Sequence, residues 1–365
     1  MSYLRRTLSY PDVLLVPRYS GLDSRSDADI DFEYKLPDLA VTLKGPPITN
    51  SPMDTVCSPE LINYLQSQGL ITTIHRYFED HNAQLDFLAR CDLPHRANVF
   101  LSVGSVYRWK EWVDQLMCEW EESKQEDRFG LLVDMANGDT KACVDTVAYI
   151  RNTCPGMMIM AGNVATKSGY KRLAKAGANF IRVGIGSGAC CSTRSQTGFG
   201  VPVLTSIQDC VEAKAQFPNT YLIADGGIND PGDICKAICA GADMIMTGTT
   251  FAATSMSPGK KVTSSFKTSD SEHTTYYAEY RGMASKAARD DSPCTGAGSV
   301  EGVSGYIPYT GKTEDVLQGI LTNLETSMAY YAGCRNWTEF RCNVKMVEIT
   351  HGGLEESKTH LTTGP

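Results

Sequence analysis

The chain has 365 residues, of which 42% are hydrophobic and 21% charged, and its formal net charge is −8. This composition is typical of a soluble globular protein, and the negative charge argues against a general nucleic-acid binder. No stretch approaches the ~18 apolar residues of a membrane span, and the first residues lack a signal-peptide pattern. The thirteen cysteines show neither a disulfide framework nor zinc spacing, which favours a reducing, cytoplasmic compartment.

Short apolar segments alternate with amphipathic stretches along most of the chain, after forty-odd residues that read as irregular. Strands are predicted near 47–53, 70–75, 98–104, 130–136, 157–163, 179–184, 221–225 and 243–248. The stretches of helical length between them include 58–68, 106–122, 141–153, 167–176, 207–216 and 231–240. Eight strand–helix units predict a (β/α)8 TIM barrel, an α/β fold, with residues 1–350 as a single domain.

The barrel pattern is interrupted after the eighth strand by a segment that we interpret as a flap, at about 255–312. Its first part, 255–275, is polar, and 276–283 read as a strand. Residues 287–305 have the composition of a mobile flap over a site or of a disordered loop. A closing helix is predicted at 313–332, and the tail 351–365 is expected to be frayed.

One glycine-rich loop, Gly184 to Arg194, follows the sixth predicted strand and contains a cysteine. Three glycines within five residues allow positive φ values, which turn backbone amides and carbonyls toward a ligand or ion. A thiol, a hydroxyl and a guanidinium follow within four residues, so Cys191 is a candidate nucleophile and its neighbour Cys190 is assigned to the core. From this stretch alone, a tight turn with a buried cysteine is an equal alternative.

Several motifs together resemble the IMP dehydrogenase / GMP reductase family, over about residues 10–350. They are Met-Asp-Thr-Val in 50–56, Gly162-Asn163-Val164, Cys-x-Thr-Arg-x-x-Thr-Gly-x-Gly within 184–200, Asp225-Gly226-Gly227, Tyr280-x-Gly282-Met283 and Glu301-Gly302. The family fold is a (β/α)8 barrel, which agrees with the strand–helix pattern of this chain. The resemblance also implies a homotetramer, which members of the family commonly form.

The resemblance is stronger to the reductase branch than to the dehydrogenase branch. Residues 134–138 match the reductase pattern Asp-x-Ala-Asn-Gly, 24–27 resemble its N-terminus, and no regulatory insertion separates Arg76 from Asn98. The flap is short and lacks the Arg-Tyr pair of the dehydrogenase. Other positions depart from the reductase: Ala189 stands where both branches have a phosphate-contacting Ser, and the flap lacks the basic residues that hold the NADPH 2′-phosphate, which leaves NADH open as the cofactor.

The resemblance implies a role for each motif residue. Cys191 is the nucleophile, and Thr193 and Glu301 move protons. The nucleotide, GMP or IMP, is expected at Met53, Asp225, Gly226, Gly227, Gly248, Thr249, Tyr280, Gly282, Met283, Ala284 and Ser285. The cofactor, NADPH or else NADH, is expected at Asp134, Ala136, Asn163, Thr193 and Arg194. A monovalent cation, K⁺ or Na⁺, is expected at the carbonyls of Gly186, Gly188 and Cys191.

Three functions remain open from the sequence. The first is reductive deamination of GMP to IMP and ammonia, and the second is oxidation of IMP to XMP. The third is a non-catalytic barrel that binds purine nucleotides. The joint presence of Cys191, Thr193 and Glu301 favours an enzyme, because a binding protein would keep Asp225 without needing all three.

Overall fold

The computed structural model describes residues 4–93, 96–105, 109–124, 128–267, 272–291 and 300–358. Eight parallel strands form one sheet that is nearly closed, and helices alternate with them, which confirms the (β/α)8 barrel. The strands are β1 (Ile48–Asn50), β2 (Thr72–Ile74), β3 (Val99–Val103), β4 (Gly130–Asp134), β5 (Ile159–Val164), β6 (Phe180–Val183), β7 (Tyr221–Asp225) and β8 (Met244–Thr247). The helices are α1 (Pro59–Ser67), α2 (His81–Ala89), α3 (Trp109–Glu122), α4 (Lys141–Thr153), α5 (Lys167–Ala176), α6 (Val203–Lys214), α7 (Pro231–Cys239) and α8 (Thr313–Thr326).

A side chain closes the seam between β1 and β2, the two ends of the sheet. Asn50 Nδ2 donates to the Thr73 carbonyl (2.8 Å), and the Thr73 amide donates to Asn50 Oδ1 (3.0 Å). These two bonds replace the ladder hydrogen bonds that a longer strand would make. The polar end of β1 is therefore part of the barrel wall.

Local sequence explains most of the helix starts. Ser58, Asp80, Thr140, Thr166 and Asp230 each precede a barrel helix and accept a hydrogen bond from a backbone amide in its first turn. Such caps satisfy amides that have no partner inside the helix. One predicted helix start was wrong: α6 begins at Val203 rather than 207. Its N-cap residue is Pro202, whose side chain cannot cap the helix, so the sequence has no capping signal at this position.

The amino-terminal end of the barrel is closed by a hairpin, Phe32–Leu36 paired with Val41–Gly45. Tyr34 and Leu36 bury their side chains against barrel residues such as Phe180, in a cluster separate from the main hydrophobic core. The prediction that the first forty-odd residues are irregular was therefore wrong here. Both of its strands alternate apolar and polar residues, Phe-Glu-Tyr-Lys-Leu and Val-Thr-Leu-Lys-Gly, but they precede the repeated strand–helix units on which the prediction was based.

The flap contains a three-stranded antiparallel sheet, β9 (Lys261–Lys267), β10 (Glu272–Arg281) and β11 (Ser304–Pro308). The polar stretch 255–275 thus includes β9, which the sequence analysis did not predict. Only Val262 and Phe266 are apolar among the seven residues of β9, so its sequence gives a weak strand signal. The parts of the predicted flap at 268–271 and 292–299 lie outside the described residues.

Short elements follow α8. A π-helical turn, Ser327–Tyr331, continues it, and the strand Met346–Glu348 pairs with Val13–Leu15. The tail is not frayed at its start: His351–Glu356 is a helix capped by the Thr350 side chain. Residues 359–365 of the predicted tail lie outside the described residues. Of the helices in the described ranges, none has the length and apolar character to cross a bilayer.

Candidate active site

A pocket of about 280 Å³ opens at the carboxyl ends of the barrel strands. It is lined by most of the residues that the sequence singled out, namely Met53, Asp134, Ala136, Asn163, Gly186, Gly188, Cys191, Thr193, Asp225, Gly226, Gly227, Gly248, Thr249, Tyr280, Gly282, Met283, Ala284 and Glu301. Arg194 and Ser285 are not in the lining. Because strand ends and the flap contribute together, residues far apart in sequence share one cavity.

The cysteine loop is braced by Arg194. Its Nε donates to the Ile185 carbonyl (3.1 Å) and its Nη2 to the Val201 carbonyl (2.7 Å). The arginine stem packs on Gly186, which has φ +72°, and a Cβ there would lie 2.4 Å from Arg194 Cγ. Only glycine fits that position, and Arg194, predicted to bind cofactor, has its guanidinium directed at the loop itself.

Three side chains form a hydrogen-bonded series at the mouth of the pocket. The Cys191 thiol donates to Thr193 Oγ1 (3.1 Å), and Thr193 Oγ1 donates to Glu301 Oε2 (2.9 Å). Backbone contacts also join the two segments that carry these side chains. The Ser192 amide donates to the Glu301 carbonyl (2.9 Å), and Cys191 pairs with Gly302 in an isolated antiparallel β-bridge. The series gives the thiol proton a route to a carboxylate.

The two adjacent cysteines differ in exposure. Cys191 is exposed, whereas Cys190 is buried, and burial raises the pKa of the Cys190 thiol to about 11. The Cys190 carbonyl accepts a hydrogen bond from the Val303 amide (2.9 Å). Cys190 therefore anchors the loop to the flap, and Cys191 is the thiol that ligands can reach.

Asp225 ends β7 and its carboxylate is held from one side. Its Oδ2 accepts hydrogen bonds from Asn163 Nδ2 (2.7 Å) and from Arg182 Nη2 (2.8 Å) and Nε (3.1 Å). Its backbone carbonyl accepts from Ser187 Oγ (2.8 Å). No function was predicted for Arg182 from the sequence. The only signal for it was a cation inside an apolar strand.

Asp134 lies at the end of β4 between two guanidinium groups. Arg182 Nη1 donates to its Oδ1 and Arg76 Nε to its Oδ2 (3.4 Å). Burial alone raises the pKa of Asp134, but the two arginines outweigh it and leave the pKa below its usual value. The carboxylate therefore stays ionised at neutral pH and acts only as a hydrogen-bond acceptor.

Glycines that follow β7 and β8 line another part of the pocket. A Cβ on Gly248 would lie 2.4 Å from the Tyr280 hydroxyl and 3.2 Å from Met53 Sδ. Gly226 and Gly227 have φ values of +90° and +77°. Backbone amides without a side chain in front of them are suited to an anionic group such as a phosphate.

The flap is tied to the barrel next to these glycines. Arg281 Nε donates to Asp54 Oδ2 (3.0 Å), and the same guanidinium pairs with Asp291. The Asp54 amide donates to Met283 Sδ (3.4 Å). Ser285, predicted to contact the nucleotide, is buried and caps the helix Lys286–Asp290 through a bond from the Ala288 amide (3.2 Å).

The pocket also holds a buried acceptor that the described residues leave without a hydrogen-bond partner. Asn163 Oδ1 accepts no hydrogen bond from the described residues, although Asn163 Nδ2 donates to both Asp225 and the Gly184 carbonyl. A hydrogen-bond donor on a bound ligand would satisfy it. Within the described ranges, no group of three or more His, Cys, Asp or Glu side chains could hold a metal ion.

The fold and the pocket define a (β/α)8 barrel with a reachable thiol at its carboxyl-terminal face. The profile of the IMP dehydrogenase / GMP reductase domain matches residues 7–360, and the chain belongs to this family of oxidoreductases. A GMP reductase from Caenorhabditis elegans is 31% identical over 346 residues, which cover 94% of this chain and 92% of that protein. A GMP reductase from Vibrio atlanticus is 31% identical over 330 residues, covering 90% and 91%.

Dehydrogenases are also similar to the chain, over a shorter length. An inosine-5'-monophosphate dehydrogenase from Chlorobaculum tepidum is 40% identical over 240 residues. That match covers 62% of this chain and 47% of the dehydrogenase, so the chain spans about half the length of that relative.

Proposed function

We propose that this protein reduces GMP to IMP and ammonia with NADPH, through a covalent bond between Cys191 and purine C2. The observation that carries the proposal is the series Cys191–Thr193–Glu301, in which an exposed thiol is hydrogen-bonded toward a carboxylate. Relatives named GMP reductase, matched over nine tenths or more of both chains, support this reaction over the alternatives.

The pocket suits the substrate in separate parts. Asp225 would accept the ribose hydroxyls, because a carboxylate can accept from both. The amides of Gly227 and of the Gly248–Thr249 turn would bind the phosphate, as barrels commonly do after their seventh and eighth strands. Met53, Tyr280 and the flap residues 282–284 would then enclose the nucleotide.

Cys191 performs the covalent step. Its thiol proton passes to Thr193 and Glu301, and the sulfur forms a bond to C2 of the purine. The 2-amino group takes a proton from the same two residues. The bond between C2 and this exocyclic nitrogen then breaks, and the group leaves as ammonia. A bound reduced nicotinamide would supply the hydride that C2 receives. The S–C2 bond finally breaks, which restores the thiolate and releases IMP.

Asp134, Ala136, Asn163 and Thr193 would hold the nicotinamide half of the cofactor, and the unpartnered Asn163 Oδ1 fits its carboxamide.

The preference for NADPH over NADH is part of the proposal. So is a K⁺ or Na⁺ ion on the carbonyls of Gly186, Gly188 and Cys191. The Gly188 carbonyl accepts from the Cys191 amide (2.9 Å) and keeps a second lone pair for a cation. Assembly as a homotetramer and a cytoplasmic location complete it.

IMP dehydrogenase is the second candidate, favoured by the 40% identity to the Chlorobaculum enzyme. One assay separates the two reactions. Absorbance of the reduced nicotinamide is followed with GMP plus NADPH or NADH, and with IMP plus NAD, while ammonia is measured. Loss of absorbance with ammonia release supports the reductase. A gain with IMP overturns it in favour of the dehydrogenase, and tight GMP binding without turnover supports a non-catalytic barrel.

A further inference from the structure

Arg182 reaches two carboxylates that belong to different halves of the pocket. It lies on β6, and its side chain is only 9% exposed. Nη2 and Nε bond Asp225 on the neighbouring strand β7, and Nη1 bonds Asp134 on β4, two strands away in the other direction. In the proposed function, Asp225 faces the nucleotide and Asp134 faces the cofactor.

A glycine on the intervening strand packs against the backbone and Cβ of Arg182. Gly162 on β5 lies directly beside Arg182, and a Cβ on Gly162 would come within 2.6 Å of Arg182 Cβ. It would also come within 2.8 Å of the Arg182 carbonyl oxygen, so the close approach of β5 to the backbone of Arg182 requires a glycine. Gly162 belongs to the motif Gly162-Asn163-Val164, and its contact with Arg182 gives a physical reason for a glycine at this position.

The bonds also orient the Asp225 carboxylate. All three N–H donors, two from Arg182 and one from Asn163, bond Oδ2. Oδ1 accepts no hydrogen bond from a described residue, so it is the oxygen left for a ligand. A buried carboxylate needs such partners, because an unpaired charge away from water is strongly disfavoured.

We propose that Arg182 is a positioning residue that couples the two halves of the pocket, fixing Asp225 for the nucleotide while Asp134 holds the other end of its guanidinium. The inference rests on the proposed function, since it takes Asp225 as the ribose acceptor. It follows that loss of Asp134 weakens nucleotide binding through Arg182, although Asp134 itself faces the cofactor.

The test is a double-mutant cycle on the binding of GMP and IMP, measured by calorimetry without cofactor. Arg182→Met should weaken binding by about 10- to 100-fold, the range for a lost hydrogen-bonded charge partner. Asp134→Asn should weaken it several-fold alone and add nothing in the Arg182→Met background, because coupled residues are non-additive. Arg172→Met is the matched control, since Arg172 makes a two-pronged pair with Asp139 on the surface.

Arg182→Lys keeps the positive charge but cannot bond both carboxylates as the guanidinium does. It therefore provides a second test if Arg182→Met does not fold. Its nucleotide affinity should fall between wild type and Arg182→Met, and its KM for GMP should rise more than its kcat falls. Additive effects of the two substitutions, or wild-type affinity in both Arg182 variants, would overturn this inference alone. A wild-type chain that binds neither nucleotide would overturn the proposed function and this inference with it.

Discussion

Thr193 Oγ1 donates a 2.9 Å hydrogen bond to Glu301 Oε2 across 108 positions of the chain. The bond joins the loop after β6 to the flap, and it places a carboxylate one side chain away from the Cys191 thiol. This contact extends the hydrogen bond from the cysteine beyond the Thr193 hydroxyl to a group that can take its proton.

Breaking that bond should slow the chemical step and leave nucleotide binding in place. Glu301→Gln removes the proton acceptor and should lower kcat by about 10²- to 10⁴-fold, the usual contribution of a general acid or base. Thr193→Val should have an effect in the same direction, because it interrupts the series. Steady-state kinetics with GMP measures both. Equal kcat values in wild type and Glu301→Gln would remove Glu301 from proton transfer.

Asp225→Asn should weaken GMP binding. The amide has one acceptor oxygen instead of two and cannot pair with the Arg182 charge, so affinity should fall by about 10- to 100-fold. Calorimetric titration with GMP measures the change. Asp209→Asn is the control, since Asp209 pairs with Arg5 at the surface. Unchanged affinity in Asp225→Asn would show that this carboxylate does not contact the ligand.

The buried imidazole of His75 should make stability depend on pH. Burial lowers its pKa to about 4, and the ring stacks on Phe78 with centroids 4.3 Å apart. The unfolded chain, with a pKa near 6.5, therefore binds more protons than the folded chain between about pH 4 and 6.5. Stability falls as the pH falls through this window, by roughly 3 kcal/mol in total.

Unfolding by urea at a series of pH values tests this dependence. His75→Asn can keep the bond that the Tyr77 amide makes to His75 Nδ1 (3.1 Å), while it removes the titrating group. The variant should lose less stability than wild type between pH 6.5 and 4. Parallel curves for the two proteins would assign the acid sensitivity to other groups.

The pair between Arg281 and Asp54 should hold the flap over the pocket. Arg281→Met removes that pair and the one with Asp291, so Met283 is less well placed. We expect KM for GMP to rise by about 10-fold, since a hydrogen bond to a charged group contributes roughly 1.5–3 kcal/mol. Lys35→Met, at an exposed ion pair with Glu33, is the control. A KM within twofold of wild type would rule out this role.

The sequence predicted the barrel because its signal is repeated eight times. Each buried strand ends in polar or glycine residues, and α4 and α5 have the predicted bounds. The hairpin Phe32–Leu36 with Val41–Gly45 and the strand β9 were missed for a different reason. The hairpin strands alternate apolar and polar residues but stand outside the repeated strand–helix units, whereas β9 has only two apolar residues among its seven and so gives a weak strand signal.

Most of the pocket could also be predicted, because motif residues at strand ends converge once the barrel forms. Arg182 could not, since a charged residue inside an apolar strand has no distinctive spacing. Its role depends on two carboxylates that only the folded sheet brings within its reach, Asp225 on the neighbouring strand β7 and Asp134 on β4. Likewise, the bracing of the loop by Arg194 is a three-dimensional fact that the linear motif does not express.

The most direct test of the central claim is turnover of GMP by Cys191→Ala beside wild type, with reduced nicotinamide and ammonia measured together. Wild type should consume one reduced cofactor for each ammonia released. Cys191→Ala should lose activity by at least about 10³-fold while its GMP affinity stays close to that of wild type. Cys118→Ala, at another exposed cysteine, should retain full activity. Turnover in Cys191→Ala comparable to that of wild type would contradict covalent catalysis by Cys191.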